Sequence, residues 1–130
     1  MTRVFEIGQV LTHERSFTDD DVLDFQRVSG DEGRHHVTPD ATGRRVVHGL
    51  LSACIPTKIG GDLDYLAREM TFEFLRPVFT GDTIRCRLEI TEVVRETDRT
   101  RLAMVGACHN QSGKEVMRFS TRGLVRHHAT

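Results

Sequence analysis

Asp31 and His36 stand five residues apart, and twelve residues further on comes His48-Gly49, at the entry to the most apolar stretch of the chain. A carboxylate, an imidazole and a backbone N–H left open by glycine are the parts needed to move a proton beside an acyl carbonyl. Glycine suits the third role because a ligand can approach its backbone closely. Around this set, His35 reads as a solvated loop side chain and His48 as an anchor that fixes the loop by hydrogen bonding where the helix begins. Arg44 and Arg45 read either as a solvated face or as partners for a phosphate. Cys54 lies in an apolar segment with no basic neighbour in sequence, which marks a small core residue and not a nucleophile. Adjacent histidines in a loop rarely converge on one ion, and no carboxylate or thiolate completes a recognised spacing with His35, His36 and His48. No metal is expected.

The elements that must hold these groups follow from periodicity. Residues 10–17 can form a strand, after which Thr18 reads as a helix N-cap and Asp21 completes its capping box. Asp19, Asp20 and Asp21 suit the positive end of the helix that follows. Val22, Phe25 and Val28 give that helix an apolar face, and Ser29-Gly30 supplies its stop. From Asp31 to Arg45 the chain is rich in Gly, Asp, Thr, His and Arg and reads as a loop. Val46 to Ile59 follow, with Leu50, Leu51, Ala53, Cys54, Ile55 and Ile59 apolar around much of a helix, which predicts a buried one. Gly60-Gly61 should end it, and Pro56 should bend or shorten it.

Beyond residue 62 the period changes to two. Ile84, Cys86, Leu88 and Ile90 alternate with Arg85, Arg87, Glu89 and Thr91, the pattern of a half-exposed antiparallel strand. Met70, Phe72 and Phe74 mark an earlier strand, Leu102 to Cys108 a later one, and Met117 to Val125 the last. Polar turns at 95–100 and 111–113 join the last three into a meander, and Gly81-Asp82 is read as a turn. A buried helix followed by strands that each carry one apolar face is satisfied when the sheet curls around the helix, an α+β arrangement. One strand edge would stay open, and pairing it across a two-fold axis makes a homodimer the expectation. The end of the chain, His127-His128, reads as frayed.

The chain has 130 residues, with 18 Lys and Arg against 19 Asp and Glu. That length fits one domain over 1–130, and the balanced charge excludes the basic field that nucleic acid or an anionic membrane would require. Cys54, Cys86 and Cys108 are odd in number and far apart, as free thiols in a reducing compartment are. The opening segment, Met1 to Glu6, has no long apolar run, so neither a secretory signal nor a membrane span is read there and a cytoplasmic location is expected.

Taken in order, Phe25-Gln26-Arg27-Val28-Ser29-Gly30-Asp31, His36, Val47-His48-Gly49-Leu50-Leu51 and Phe74-Leu75-Arg76-Pro77-Val78-Phe79-Thr80-Gly81-Asp82-Thr83 resemble the MaoC-like hydratases. The resemblance spans roughly residues 5 to 125. It implies the hot-dog fold and reversible hydration of a trans-2-enoyl thioester, carried on coenzyme A or an acyl carrier protein, to the (R)-3-hydroxyacyl thioester. It also implies that His36 takes the proton from water, that Asp31 orients that water and helps deliver a proton to carbon 2, and that the Gly49 N–H binds the thioester oxygen. Ser29, Gly30, Arg34, His48 and Leu50 would then surround the substrate, with no cofactor. The family pattern Gly-Asp-x-Asn-Pro-x-His stands here as Gly30-Asp31-Glu32-Gly33-Arg34-His35-His36, so Gly33-Arg34 replaces Asn-Pro. That departure leaves thioester hydrolysis, addition of an amine, and acyl binding without turnover as alternatives on the same scaffold.

Overall fold

The computed structural model describes residues 4–128, so the first three residues of the segment read for a signal, and both ends of the 1–130 domain, lie outside the described residues. Strand β1 (Val10–Ser16) leads into helix α1 (Asp19–Ser29). The capping box forms as the sequence predicts: the Asp21 N–H donates to Thr18 Oγ1 at 3.2 Å and the Thr18 N–H to Asp21 Oδ2 at 2.9 Å. Gly30 ends the helix in the left-handed region, at φ 73°, and its N–H reaches the Gln26 carbonyl. Val22 is fully buried, but Val28 is 85% exposed and does not belong to the packed face. At 3.6 residues per turn, two successive steps of three rotate Val28 about 120° away from Val22.

The segment read as a loop contains one helical turn, α2 (Arg34–Val37), in which the N–H groups of His36 and Val37 bond the Gly33 carbonyl. A single turn is too short to show a period in sequence. The buried helix is interrupted as well: α3 (Gly49–Ser52) and α4 (Cys54–Asp62) meet at Ala53. Pro56 has no N–H to give the Ser52 carbonyl, which accounts for the break one turn before it. Gly60-Gly61 does not stop α4, which continues to Asp62. Tyr65 is the nearest neighbour to where a Gly60 side chain would begin, at an ordinary contact distance of 3.5 Å, so packing there does not demand glycine.

Four further strands, β2 (Tyr65–Phe74), β3 (Thr83–Arg95), β4 (Arg99–His109) and β5 (Glu115–Arg126), join β1 in one antiparallel sheet of order β1-β3-β4-β5-β2. The sequence meander is β3-β4-β5. Ile84, Cys86, Leu88 and Ile90 all point inward, with Leu102, Met104 and Phe119, and the sheet wraps α4, which packs against β1, β2 and β3. This is the hot-dog arrangement. The sheet has two open edges, β1 and β2, where one was expected, because both early strands flank the meander. Cys86 and Cys108 face each other across β3 and β4 as buried free thiols, and the Cys86 thiol together with burial pushes the Cys108 thiol far above its ordinary range. His127 is not frayed: its N–H donates to the Asp98 carbonyl, and its Nε2 lies 2.8 Å from Oγ1 of the buried Thr100. Among the described residues, no helix is long and apolar enough to cross a membrane.

Candidate active site

The end of α1 delivers Asp31 into a tight turn. Ser29 Oγ accepts the Asp31 N–H at 3.0 Å, and Asp31 Oδ1 accepts the Gly33 N–H at 3.0 Å. That backbone donor, with smaller help from His36, His48 and His35, holds the Asp31 carboxyl below the usual carboxylate range. Its side chain is 53% exposed, whereas the His36 side chain beside it is almost wholly buried.

The tautomer of His36 follows from its partner. Nδ1 lies 2.6 Å from the Val46 carbonyl oxygen, which can only accept, so Nδ1 carries a proton and, in the neutral ring, Nε2 is the nitrogen that can accept one. Nε2 lies 3.7 Å from Asp31 Oδ2, too far for a direct hydrogen bond and close enough for one water to touch both. Val46 is fixed in turn by its bridge to Phe79 and by its N–H on the His35 carbonyl. The same reasoning applies to His48, whose Nε2 donates to the Asp31 carbonyl at 2.9 Å. Its ring stacks on His36 with centroids 3.7 Å apart and an interplanar angle of 17°, and Phe25 backs it from the other direction. His48 Nδ1 is buried with no partner among the described residues.

A cavity of about 360 Å³ opens beside this pair, with His36, Gly49 and Ser52 on one wall and Phe74, Val78 and Met117 among the residues opposite. Asp31 does not line it and stands behind His36 Nε2 at 3.7 Å. Gly49 is the first residue of α3, where an N–H has no helical acceptor. A Cβ there would lie 3.0 Å from the Phe74 ring, so only glycine lets the ring and the helix start come this close. Two further hollows bear on the site. One, of about 170 Å³ and mostly apolar, lies under α4 among Gly60, Tyr65, Met70, Phe72 and Phe119. The other, of about 450 Å³, is a groove among Arg34, His35, Thr38, Asp40, Arg44 and Phe79.

Folding therefore brings Asp31, His36 and His48 together and sets Gly49 along the same cavity as His36. Ser29 and Gly30 shape the turn that carries Asp31, and Arg34 lines the outer groove. Leu50 is 64% exposed, so it is not part of the buried face, and it lines none of these hollows. The apolar run surrounds the helix in sequence, but the sheet covers only one side of it. Folding also supplies the carboxylate that spacing did not: one ligand-type atom each from Asp31, His36 and His48 lie within 4.8 Å of one another. Holding an ion there through His48 Nε2 would cost that ring its bond to the Asp31 carbonyl. Sequence reasoning missed the Val46 carbonyl and Ser52. A backbone acceptor leaves no mark in sequence, whereas Ser52 did give a signal as a polar residue in the most apolar stretch.

Fold and site together define a hot-dog protein with an aspartate–histidine pair at its helix–sheet cleft. The chain belongs to the MaoC-like family, since the model for the MaoC like domain matches residues 4–111. A 3-hydroxybutyryl-CoA dehydratase of Methylorubrum extorquens is 28% identical over 86% of this chain and 74% of its own length. Among solved structures, an R-hydratase from Pseudomonas aeruginosa superposes with a TM-score of 0.83 at 25% identity, covering 95% of this chain and 84% of that one. An (R)-hydratase of A. caviae involved in PHA biosynthesis superposes at 0.78 with 22% identity, over 93% of this chain and 96% of the other.

Proposed function

We propose that this protein is a lyase that reversibly adds water across the double bond of a trans-2-enoyl thioester, giving the (R)-3-hydroxyacyl thioester. The observation that carries this reading is the Nε2 of His36, left open by the bond from Nδ1 to the Val46 carbonyl and facing the Asp31 carboxylate beside a cavity that also holds the start of α3. His36 Nε2 and Asp31 hold one water between them. The hydroxyl goes to carbon 3 and the water's proton to carbon 2, so the reaction balances with no cofactor. A carboxylate held below its ordinary range begins the cycle charged, so the proton that Asp31 helps deliver to carbon 2 is the one that His36 Nε2 takes from the water. Charge that develops on the thioester oxygen meets the Gly49 N–H.

The acyl chain runs from the reaction cavity into the apolar hollow under α4. Phe74, which lines the first, stacks on Phe72, which lines the second, with ring centroids 6.1 Å apart, and Met117 and Phe119 follow each other in the same way on β5. The relatives named for 3-hydroxybutyryl-CoA and for R-hydratase activity support the same substrate class, carried on coenzyme A or an acyl carrier protein. Three free thiols fit a reducing, cytoplasmic compartment.

The test follows the enoyl-thioester absorbance of crotonyl-CoA with purified protein while free thiol is measured in parallel. Loss of absorbance without thiol release is expected, and Asp31→Asn or His36→Ala should lower kcat by about a hundredfold or more. Thiol release at the same rate would make the protein a thioesterase. Binding without turnover, or full activity in both variants, would overturn the mechanism.

A further inference from the structure

We infer that the groove beside the reaction cavity is a phosphate subsite, with Arg34 and Arg44 as its cations, for the phosphate on the thioester's carrier arm. The inference rests on the hydratase reading and adds the part of the substrate that the site grips outside the chemistry. The groove and the reaction cavity share His35 and Val46 in their walls, so a chain leaving one enters the other.

Three arginines belong to this segment, and their contacts sort them. Arg45 is engaged in the fold: its Nη1 lies 3.0 Å from Asp19 Oδ1, and its Nε donates to the Val37 carbonyl. Arg44 lies with its guanidinium carbon 4.0 Å above the Phe79 ring, while Nε and Nη2 both point at Asp40 Oδ2. Its Nη1 has no acceptor among the described residues. Asp40 is the one carboxylate in the groove, and its other oxygen is filled by the Thr42 N–H, the Thr42 hydroxyl and the Arg44 N–H, which hold its carboxyl at about 2. It therefore acts as a fixed anchor for Arg44. Arg34, two residues before His36, makes no ion pair with any described residue.

The groove thus carries two guanidinium groups against one carboxylate, and one of the cations is already oriented. A guanidinium presents a planar fork of donors that matches phosphate oxygens, and a side chain held in place before binding loses little freedom when the ligand arrives. Coenzyme A and acyl carrier proteins both present the thioester on a pantetheine arm that ends in phosphate, and that shared group is the ligand assigned here.

The experiment compares crotonyl thioesters of pantetheine, phosphopantetheine and coenzyme A. Arg34→Gln should lower the ratio of kcat/KM for the phosphorylated over the unphosphorylated thioester by about tenfold, whereas Arg95→Gln, an exposed arginine on β3, should not move it. An effect complete with phosphopantetheine supports the phosphate common to both carriers, and an effect seen only with coenzyme A overturns that assignment in favour of one of its further phosphates. A ratio that Arg34→Gln leaves unmoved overturns the subsite. Calorimetric binding of coenzyme A and of pantetheine decides the matter without turnover: tighter binding of coenzyme A should be lost in Arg34→Gln, and equal affinities in the native protein would overturn the proposal. Absence of turnover on every thioester would sink the hydratase reading and leave that binding result standing.

Discussion

The Gly33 N–H strengthens the preference of Asp31 for its charged form. It donates to Oδ1 and stabilises the carboxylate over the acid, so the folded protein keeps Asp31 ionised to lower pH than an unfolded chain does. The stabilisation is present above the unfolded pKa and is lost as pH falls through the depressed folded value. Gly33 has φ −53°, which proline can adopt, so Gly33→Pro removes the donor without demanding a new backbone angle. A Cβ there would meet Asp31 Oδ1 and His35 Cε1 at 3.2 Å, both movable side-chain ends. In a carbon-detected NMR titration, the Asp31 midpoint should lie below the reference of about 3.9 in the native protein and rise in Gly33→Pro. An unmoved midpoint would show that the neighbouring imidazoles set the charge instead. The pairing of Asp31 with His36 was legible through the family resemblance, because each carries its chemistry in its side chain. The orientation of His36 was not, because the carbonyl of Val46 sets it and a carbonyl is the same in every residue.

At the scale of elements, α3 and α4 place the helix start at the reaction cavity and a run of small residues over the apolar hollow. Gly60 borders that hollow, and its nearest neighbour beyond the helix, Tyr65, stands 3.5 Å from where a Cβ would sit. Gly60→Leu should keep or raise thermal stability, since it trades a poor helix former for a good one worth up to about 1 kcal/mol. It should also lower kcat/KM for octenoyl-CoA relative to crotonyl-CoA by about tenfold as the leucine fills the hollow. Equal sensitivity of the two substrates would place the acyl chain elsewhere. The capping box of α1 was readable because its hydrogen bonds are local. The end of α4 was misread by one residue because a glycine pair weakens a helix without compelling it to stop. Val28 and Leu50 were misassigned for one reason: apolar residues show which faces could be buried, and only the sheet decides which one is.

For the whole molecule, the open edge of β2 is the feature that asks for a partner. Leu66, Met70 and Phe74 on that strand are exposed, and an unpaired edge with apolar side chains is a template for another strand. We propose that two copies pair there across a two-fold axis. Sedimentation of the native protein should give the dimer mass, and Met70→Arg should shift it toward the monomer; a native monomer would refute the arrangement. The curled sheet and its meander were legible in the period-two pattern, but the strand order was not, since alternation names the faces of a strand and not its neighbours. That order also governs when a newly made chain can become a protein. Asp31, His36, His48 and Gly49 all lie within the first half of the sequence, yet Leu11 must wait for Leu88, and Met70 for Thr121, before either strand has a partner. A nascent chain that has just emerged through β2 holds Asp31, His36, His48 and Gly49 with no sheet to lean on. Competence therefore arrives only with synthesis of the last strand, and a chain cut short before β5 has the residues for the chemistry and no means of aiming them.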